Sequence, residues 1–291
     1  MNLVSAQMLR APIGVFDSGV GGLTVLRALR ERMPQEHFVY LGDTARLPYG
    51  TKSAESIVRY SVQAARKLVE HNIKCLVVAC NTASAVALDA LSAQLAPLPV
   101  LGVVEPGAEA GCRASASGRI AVIATESTVR GGAYQRAIHA RRPLALTSAK
   151  ACPLFVALAE EGWTDGPIVN AIAQRYLNEL FAVPPIEQRP DTLVLGCTHF
   201  PVLAAAIREV VGPNVTIVDS AQTTAVALEK TLRDARLMRT DRNEVDRHES
   251  ALRLLATDSR ERFARVGSGF LGQSINVGEV ELVDLSEAGA G

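Results

Sequence analysis

The chain has 291 residues, 48% hydrophobic and 21% charged, which is enough for two domains at roughly 150 residues each and excludes a disordered chain, a collagen-like repeat and a coiled coil. Thirty Lys and Arg balance thirty Asp and Glu, so there is no overall basic field to hold nucleic acid or anionic lipid directly. An aromatic content of 4% is too low for base-stacking platforms.

The pattern predicts an α/β chain in which short β-branched runs alternate with longer helical stretches. Strands are expected at 13–17, 38–42, 75–79, 100–104, 120–124, 145–147, 193–196 and 216–219, with later ones at 252–256 and 280–283. Most are continuous apolar runs, as in parallel strands covered on both faces by helices.

The first strand runs into Asp17-Ser18 and the glycines Gly19, Gly21 and Gly22. This segment lacks the Gly-Lys-Ser/Thr ending of a phosphate loop and the G-x-G-x-x-G spacing, which argues against a nucleotide site. Asp17 and Ser18 stand where they would either cap a turn and a helix or hold a polar ligand such as an ammonium group. The loop 42–50, with Pro48, Tyr49 and Gly50, either offers backbone donors to a carboxylate or simply turns the chain. A helix is expected over 55–70, where Val58, Val62, Ala65 and Val69 recur at spacings of four, three and four. The stretches 97–107 and 211–214 (with Gly212 and Pro213) are the hinge candidates, and the charged segment 240–250 reads as a solvated loop.

Five cysteines, an odd number scattered over a long chain, argue against a disulfide framework and for a reducing cytoplasm. The N-terminus lacks the apolar core of a signal peptide, and no apolar run reaches the roughly 18 residues of a membrane helix. Two cysteines share a context. Leu76-Val-Val-Ala-Cys80-Asn81-Thr82 and Leu193-Val-Leu-Gly-Cys197-Thr198-His199 each give an apolar strand, a small residue, a cysteine, a nearby threonine and then an Ala-rich helix.

Both thiols therefore fall beyond the carboxyl end of a strand, where open α/β sheets bind ligands and where a helix N-terminus favours thiolate. Each alone reads equally well as a small packed hydrophobe; the matched pair points to chemistry. Cys75, Cys112 and Cys152 lack the pattern and read as packing residues. His199 is a candidate to assist Cys197 or a structural histidine, and no second Cys/His pair with ligand spacing supports a metal. Glu160, on an expected helix, reads by default as a solvated surface acid. Two facing thiols suit moving a proton from one face of a carbon to the other, which needs a base and an acid on opposite sides.

Taken together these segments resemble the glutamate racemases of the aspartate/glutamate racemase superfamily. The resemblance is carried by G-V-F-D-S-G-V-G-G-L at 14–23, L-G-D-T-A-R-L-P-Y-G at 41–50, V-A-C-N-T-A-S at 78–84 and L-G-C-T-H-F-P at 195–201. Pro106 and the runs 122–125 and 218–220 add to it, and residues 261–284 look like the family's ending.

It implies two similar parallel-sheet α/β domains with the active site in the cleft between them. One would comprise 1–104 plus 212–291, carrying Asp17 and Cys80; the other, 105–211, would carry Cys197 and His199. It implies cofactor-independent interconversion of L- and D-glutamate, without pyridoxal phosphate or metal, for cell-wall synthesis. Cys80 would deprotonate D-glutamate and Cys197 L-glutamate, Asp17, His199 and Glu160 would assist, and Asp17, Ser18, Tyr49, Gly50, Asn81, Thr82, Thr198 and His199 would hold the substrate. Homodimers are common in the family. A second role on DNA gyrase, reported for some members, gains no support from the neutral charge or the short N-terminal extension. The rivals are a related racemase for aspartate, a hydantoin or another acid, and a thiol redox protein, although no C-x-x-C motif is present.

Overall fold

The computed structural model describes residues 6–239 and 252–285, so the charged segment expected at 240–250 lies outside the described residues. Two parallel sheets organise the chain. The larger is built from β1 (Ile13–Asp17), β2 (Phe38–Gly42), β3 (Cys75–Val78), β4 (Val100–Gly102), β9 (Leu252–Ala256) and β10 (Val280–Leu282), in the order β10-β9-β2-β1-β3-β4. The smaller contains β5 (Arg119–Ala124), β6 (Leu146–Ala151), β7 (Thr192–Gly196) and β8 (Thr216–Asp219), in the order β6-β5-β7-β8. All eight strand pairings among the described residues are parallel.

The continuous apolar runs follow from this layering. Along β1, Ile13 and Val15 face one core with the helices Leu23–Arg32, Ser220–Asp234 and Arg260–Leu271, while Phe16 faces the other with Ala54–Val69 and Asn81–Leu95. The smaller sheet repeats the plan. Ala121 and Ile123 pack with Pro167–Phe181 and Ala204–Val211, while Ile120 and Val122 pack with Val104–Ala114 and Ala133–Arg141. Burial on both faces leaves no polar alternation to read.

Four expectations need correction. The strand expected at 145–147 is Leu146–Ala151: β6 is an edge strand, so Ser148 and Lys150 are tolerated on it and interrupt the apolar run. The strand expected at 100–104 stops at Gly102, because Ser84 Oγ accepts the N–H groups of Val103 (3.0 Å) and Val104 (3.4 Å) and the helix Val104–Ala114 begins. In Ala54–Val69 the inward face is carried by Ile57, Val62, Ala64, Ala65 and Leu68, whereas Val69 is exposed. The return to the larger sheet falls after Asp219, not near 212: β8 is paired to β7 in the smaller sheet, and the following helix Ser220–Asp234 packs into the larger sheet's core. Gly212 and Pro213 make only the turn from the helix Ala204–Val211 into β8.

Within the two sheets, β2-β1-β3-β4 and β6-β5-β7-β8 have the same order. Each has a switch point where successive connections leave the central strand (β1 or β5) in opposite directions, the place where such sheets bind ligands. The residues just beyond β1 and β3 include Ser18 and Cys80; those just beyond β5 and β7 include Thr125 and Cys197.

Candidate active site

A cavity of about 320 Å³ brings the two switch points together. Its lining contains Ser18, Tyr49, Gly50, Cys80, Asn81 and Thr82 from the larger-sheet half, and Glu160, Cys197, Thr198 and His199 from the other. Asp17 is the one expected site residue outside the lining. It lies just behind Ser18, 1% exposed, with Oδ2 accepting the Gly19 N–H at 2.9 Å. Burial pushes its carboxyl up from the ordinary value, partly offset by nearby His199 and by the N–H groups of residues 18, 19 and 22.

Glycine permits the approach of the halves at two positions. A Cβ on Gly21 would press into the His199 ring edge at Cε1 and Nδ1 and into the Thr198 hydroxyl, and one on Gly50 would lie 2.9 Å from Thr125 Cβ. Thr24 Oγ1 donates across the boundary to the Thr198 carbonyl at 2.9 Å. Thr82, Thr125 and Thr128 form a hydroxyl triangle with sides of 2.9, 3.0 and 3.3 Å. Tyr134 Oη donates to Asn81 Oδ1 at 2.7 Å, which leaves the Asn81 amide nitrogen buried without a partner among the described residues.

Cys80 caps the helix Asn81–Leu95: its Sγ accepts the Ala83 N–H at 3.5 Å and donates to Ser18 Oγ at 3.4 Å. The helix N-terminus does favour the thiolate, but burial outweighs it here. Burial, reinforced by the Asp17 carboxylate, pushes the Cys80 thiol up to about 12, against the Ser18 and Ala83 hydrogen bonds that favour the thiolate. Desolvation outweighs the helix end because a charge loses more on leaving water than one or two N–H groups return.

Cys197 stands differently. No long helix follows it; Thr198 and His199 lead into the single 3-10 turn Phe200–Leu203, and only then does Ala204–Val211 begin. The turn folds His199 back so that Nδ1 lies 3.8 Å from Cys197 Sγ, while Nε2 lies 3.1 Å from Glu160 Oε1. Burial alone would lower the imidazole, but the bonds to Cys197 and Glu160 push it up to about 10. Glu160 is therefore no solvated acid, contrary to the sequence expectation: it is largely buried, lines the cavity and pairs with Arg262 at 2.7 Å. Burial would raise its carboxyl, yet His199 and Arg262 hold it below the ordinary value.

Sequence reasoning gave no site role to Thr125, Thr128, Tyr134 or Arg262. Thr125 carried a usable signal, since it follows β5 as Ser18 follows β1. Of the three cysteines read as packing residues, Cys75 and Cys152 are fully buried, and Cys112 is half-buried with its thiol toward the Ile138 carbonyl at 3.7 Å. No helix among the described residues is long and apolar enough to cross a membrane.

A family model described as Asp/Glu/hydantoin racemase matches residues 23–228. A glutamate racemase of Geobacter metallireducens is 48% identical over 273 residues, covering 94% of this chain and 96% of that protein. Among solved structures, glutamate racemase from Francisella tularensis in complex with D-glutamate has a TM-score of 0.85 at 33% identity, covering 95% of this chain and 98% of its own. The Thermus thermophilus glutamate racemase, in complex with β-chloro-D-alanine, has a TM-score of 0.81 at 40% identity, covering 95% and 98%.

Proposed function

The chain belongs to the Asp/Glu/hydantoin racemase family, and from that premise we propose that it interconverts L- and D-glutamate by transferring protons between two thiols and the α-carbon. One observation carries this reading: a strand-end cysteine from each sheet lines one cavity. Close likeness to glutamate racemases, one of them solved with D-glutamate, supports the choice of substrate.

With D-glutamate bound, the Cys80 thiolate takes the α-proton, and the electron pair of the broken C–H bond passes onto the α-carbon and into the α-carboxylate. The Cys197 thiol then gives its proton to the opposite face, which yields L-glutamate, a Cys80 thiol and a Cys197 thiolate. The reverse reaction exchanges the roles. Cys80 holds its proton in the unliganded cavity, so this direction needs the positive charge that the substrate's ammonium brings beside it.

His199 supports the charge changes at Cys197 from 3.8 Å. Asp17, whose charge is felt at Cys80, does so on the other side. Ser18, Asn81, Thr82 and Thr198, with the backbone of Tyr49 and Gly50, supply hydroxyl, amide and N–H groups for the ammonium and carboxylates. Fixed donors in a cavity shielded from water stabilise charge growing on the α-carboxylate, which an α-proton of low acidity requires. The enzyme works in the cytoplasm and supplies D-glutamate for peptidoglycan.

A chiral assay over glutamate, aspartate and hydantoins, with the purified enzyme and its Cys80→Ala and Cys197→Ala variants, tests the reading. Racemisation of glutamate alone, lost in both variants, is expected. Turnover of aspartate or a hydantoin in preference to glutamate overturns the substrate, and a variant that still racemises overturns the two-thiol scheme.

A further inference from the structure

The residues around Cys197 do not end at the cavity wall. Glu160 uses both carboxylate oxygens: Oε1 faces His199 Nε2 at 3.1 Å and Oε2 accepts from Arg262 at 2.7 Å. Arg262 comes from the helix Arg260–Leu271, beyond the residues matched by the family model. That helix is anchored in the larger sheet's core by Phe263, Ala264, Val266 and Phe270. Glu160 ends the helix Pro153–Glu160, whose Phe155 and Leu158 are buried with the smaller sheet. The ion pair therefore ties one half of the molecule to the other at a point one side chain away from the reacting thiol. The same C-terminal helix touches the relay twice, because the Phe270 ring meets the His199 ring edge-on at 5.1 Å.

Taken alone, an arginine of 45% side-chain exposure paired to a carboxylate would contribute little. This carboxylate is only 15% exposed, and its other oxygen is committed to a cavity residue. A one-sided Glu160 could rotate about its terminal torsions and carry the His199 bond with it, whereas a guanidinium on the second oxygen removes that freedom. No similar tether exists among the described residues at Cys80, whose polar contacts are Ser18 and the Ala83 N–H.

We propose that Arg262 is a positioning residue for the Cys197 side of the reaction: it fixes the Glu160 carboxylate that orients His199 against the Cys197 thiol. The role rests on the two-thiol reading above. It differs from a general structural role because it weakens one of two proton transfers and spares the other.

Isotope effects separate the two steps. In Arg262→Ala the transfer at Cys197 becomes the slower one. With α-deuterated L-glutamate that transfer breaks the labelled bond, so the primary isotope effect on kcat/KM rises. With α-deuterated D-glutamate the labelled bond is broken earlier, at Cys80, so the effect falls. Loss of one charge-assisted hydrogen bond is expected to lower kcat/KM about tenfold in both directions. Arg262→Lys, which keeps the charge, restores most of the activity and the wild-type isotope effects. Unchanged activity in Arg262→Ala, or isotope effects that stay put or move alike for both enantiomers, overturns the assignment. Cys197→Ala in the same assay keeps the failures apart: full racemisation there removes the two-thiol reading, while its loss alongside symmetric effects in Arg262→Ala removes the role of Arg262 alone.

Discussion

The two halves of the molecule share a strand order and differ in what surrounds the thiol. In β2-β1-β3-β4 and in β6-β5-β7-β8 the cysteine lies just beyond the third strand in chain order. Cys80 opens a long helix and is left with a serine, one N–H and a buried aspartate nearby. Cys197 opens a short turn that folds back an imidazole, which meets a carboxylate from the helix Pro153–Glu160 and, through it, a guanidinium from the helix Arg260–Leu271. Topology thus sets where the thiols stand, and what the residues after each strand reach from other elements sets how its proton is handled. A reaction between mirror-image substrates does not demand mirror-image surroundings, only one acid and one base on opposite faces.

The comparison is broken most severely by removing either thiol. Cys80→Ala and Cys197→Ala should each lower racemisation by about 10³-fold or more, the upper range for a lost acid–base group. A variant that retains a tenth of the activity in a chiral assay would show that the halves are not partners.

Next come the unequal supports. His199→Gln should lower kcat/KM by about 10²-fold, and Glu160→Gln, which keeps the shape but loses the charge, by about tenfold. The double variant should be little worse than His199→Gln, because Glu160 acts through the imidazole. Strictly additive losses in steady-state kinetics would show that Glu160 acts on its own.

The pH dependence of stability sharpens the contrast. His199 sits at about 10 in the folded protein against an ordinary 6.5, so its stabilising contribution is complete below pH 6.5 and is lost as pH rises toward 10. Denaturant unfolding of wild type and His199→Gln should therefore show a stability gap that narrows across that window. A gap that is constant from pH 6.5 to 10 would mean that the imidazolium is not held by Cys197 and Glu160.

The smallest effects concern the joint between the halves. Gly50→Ala meets Thr125 Cβ at 2.9 Å and should cost about 1–3 kcal/mol if the loop cannot shift. Gly21→Ala falls on His199 and Thr198 themselves, so it should lower activity more than Gly50→Ala for a similar loss of stability. Equal losses of activity would argue that Gly21 serves only packing.

The cysteine pair was readable in the sequence because the same local grammar is written twice: an apolar run, a small residue, Cys, then Thr close behind. The parallel sheets were readable because continuous apolar runs need helices on both faces. The edge strand β6 was blurred by Ser148 and Lys150, and the boundary near 212 was misplaced because Gly212-Pro213 looks like a hinge while the pairing of β8 with β7 is a long-range fact. The default reading of Glu160 as a surface acid failed for the same reason. Nothing in Ala-Leu-Ala-Glu-Glu announces that Arg262 arrives from 102 residues further along. Tyr134 and Asn81 likewise meet only when the halves close. Local patterns showed what each segment does by itself, and contacts between segments carried the rest.

Two thiols on opposite faces of one carbon leave a signature when the reaction runs from unlabelled L-glutamate in D₂O and α-deuterium is read in both enantiomers at low conversion. Two separate acid–base groups predict D-glutamate that is fully deuterated at the α-carbon while the remaining L-glutamate keeps its proton. Deuterium appearing equally in both enantiomers from the start would mean that a single group removes and returns the proton, and would contradict a two-thiol mechanism.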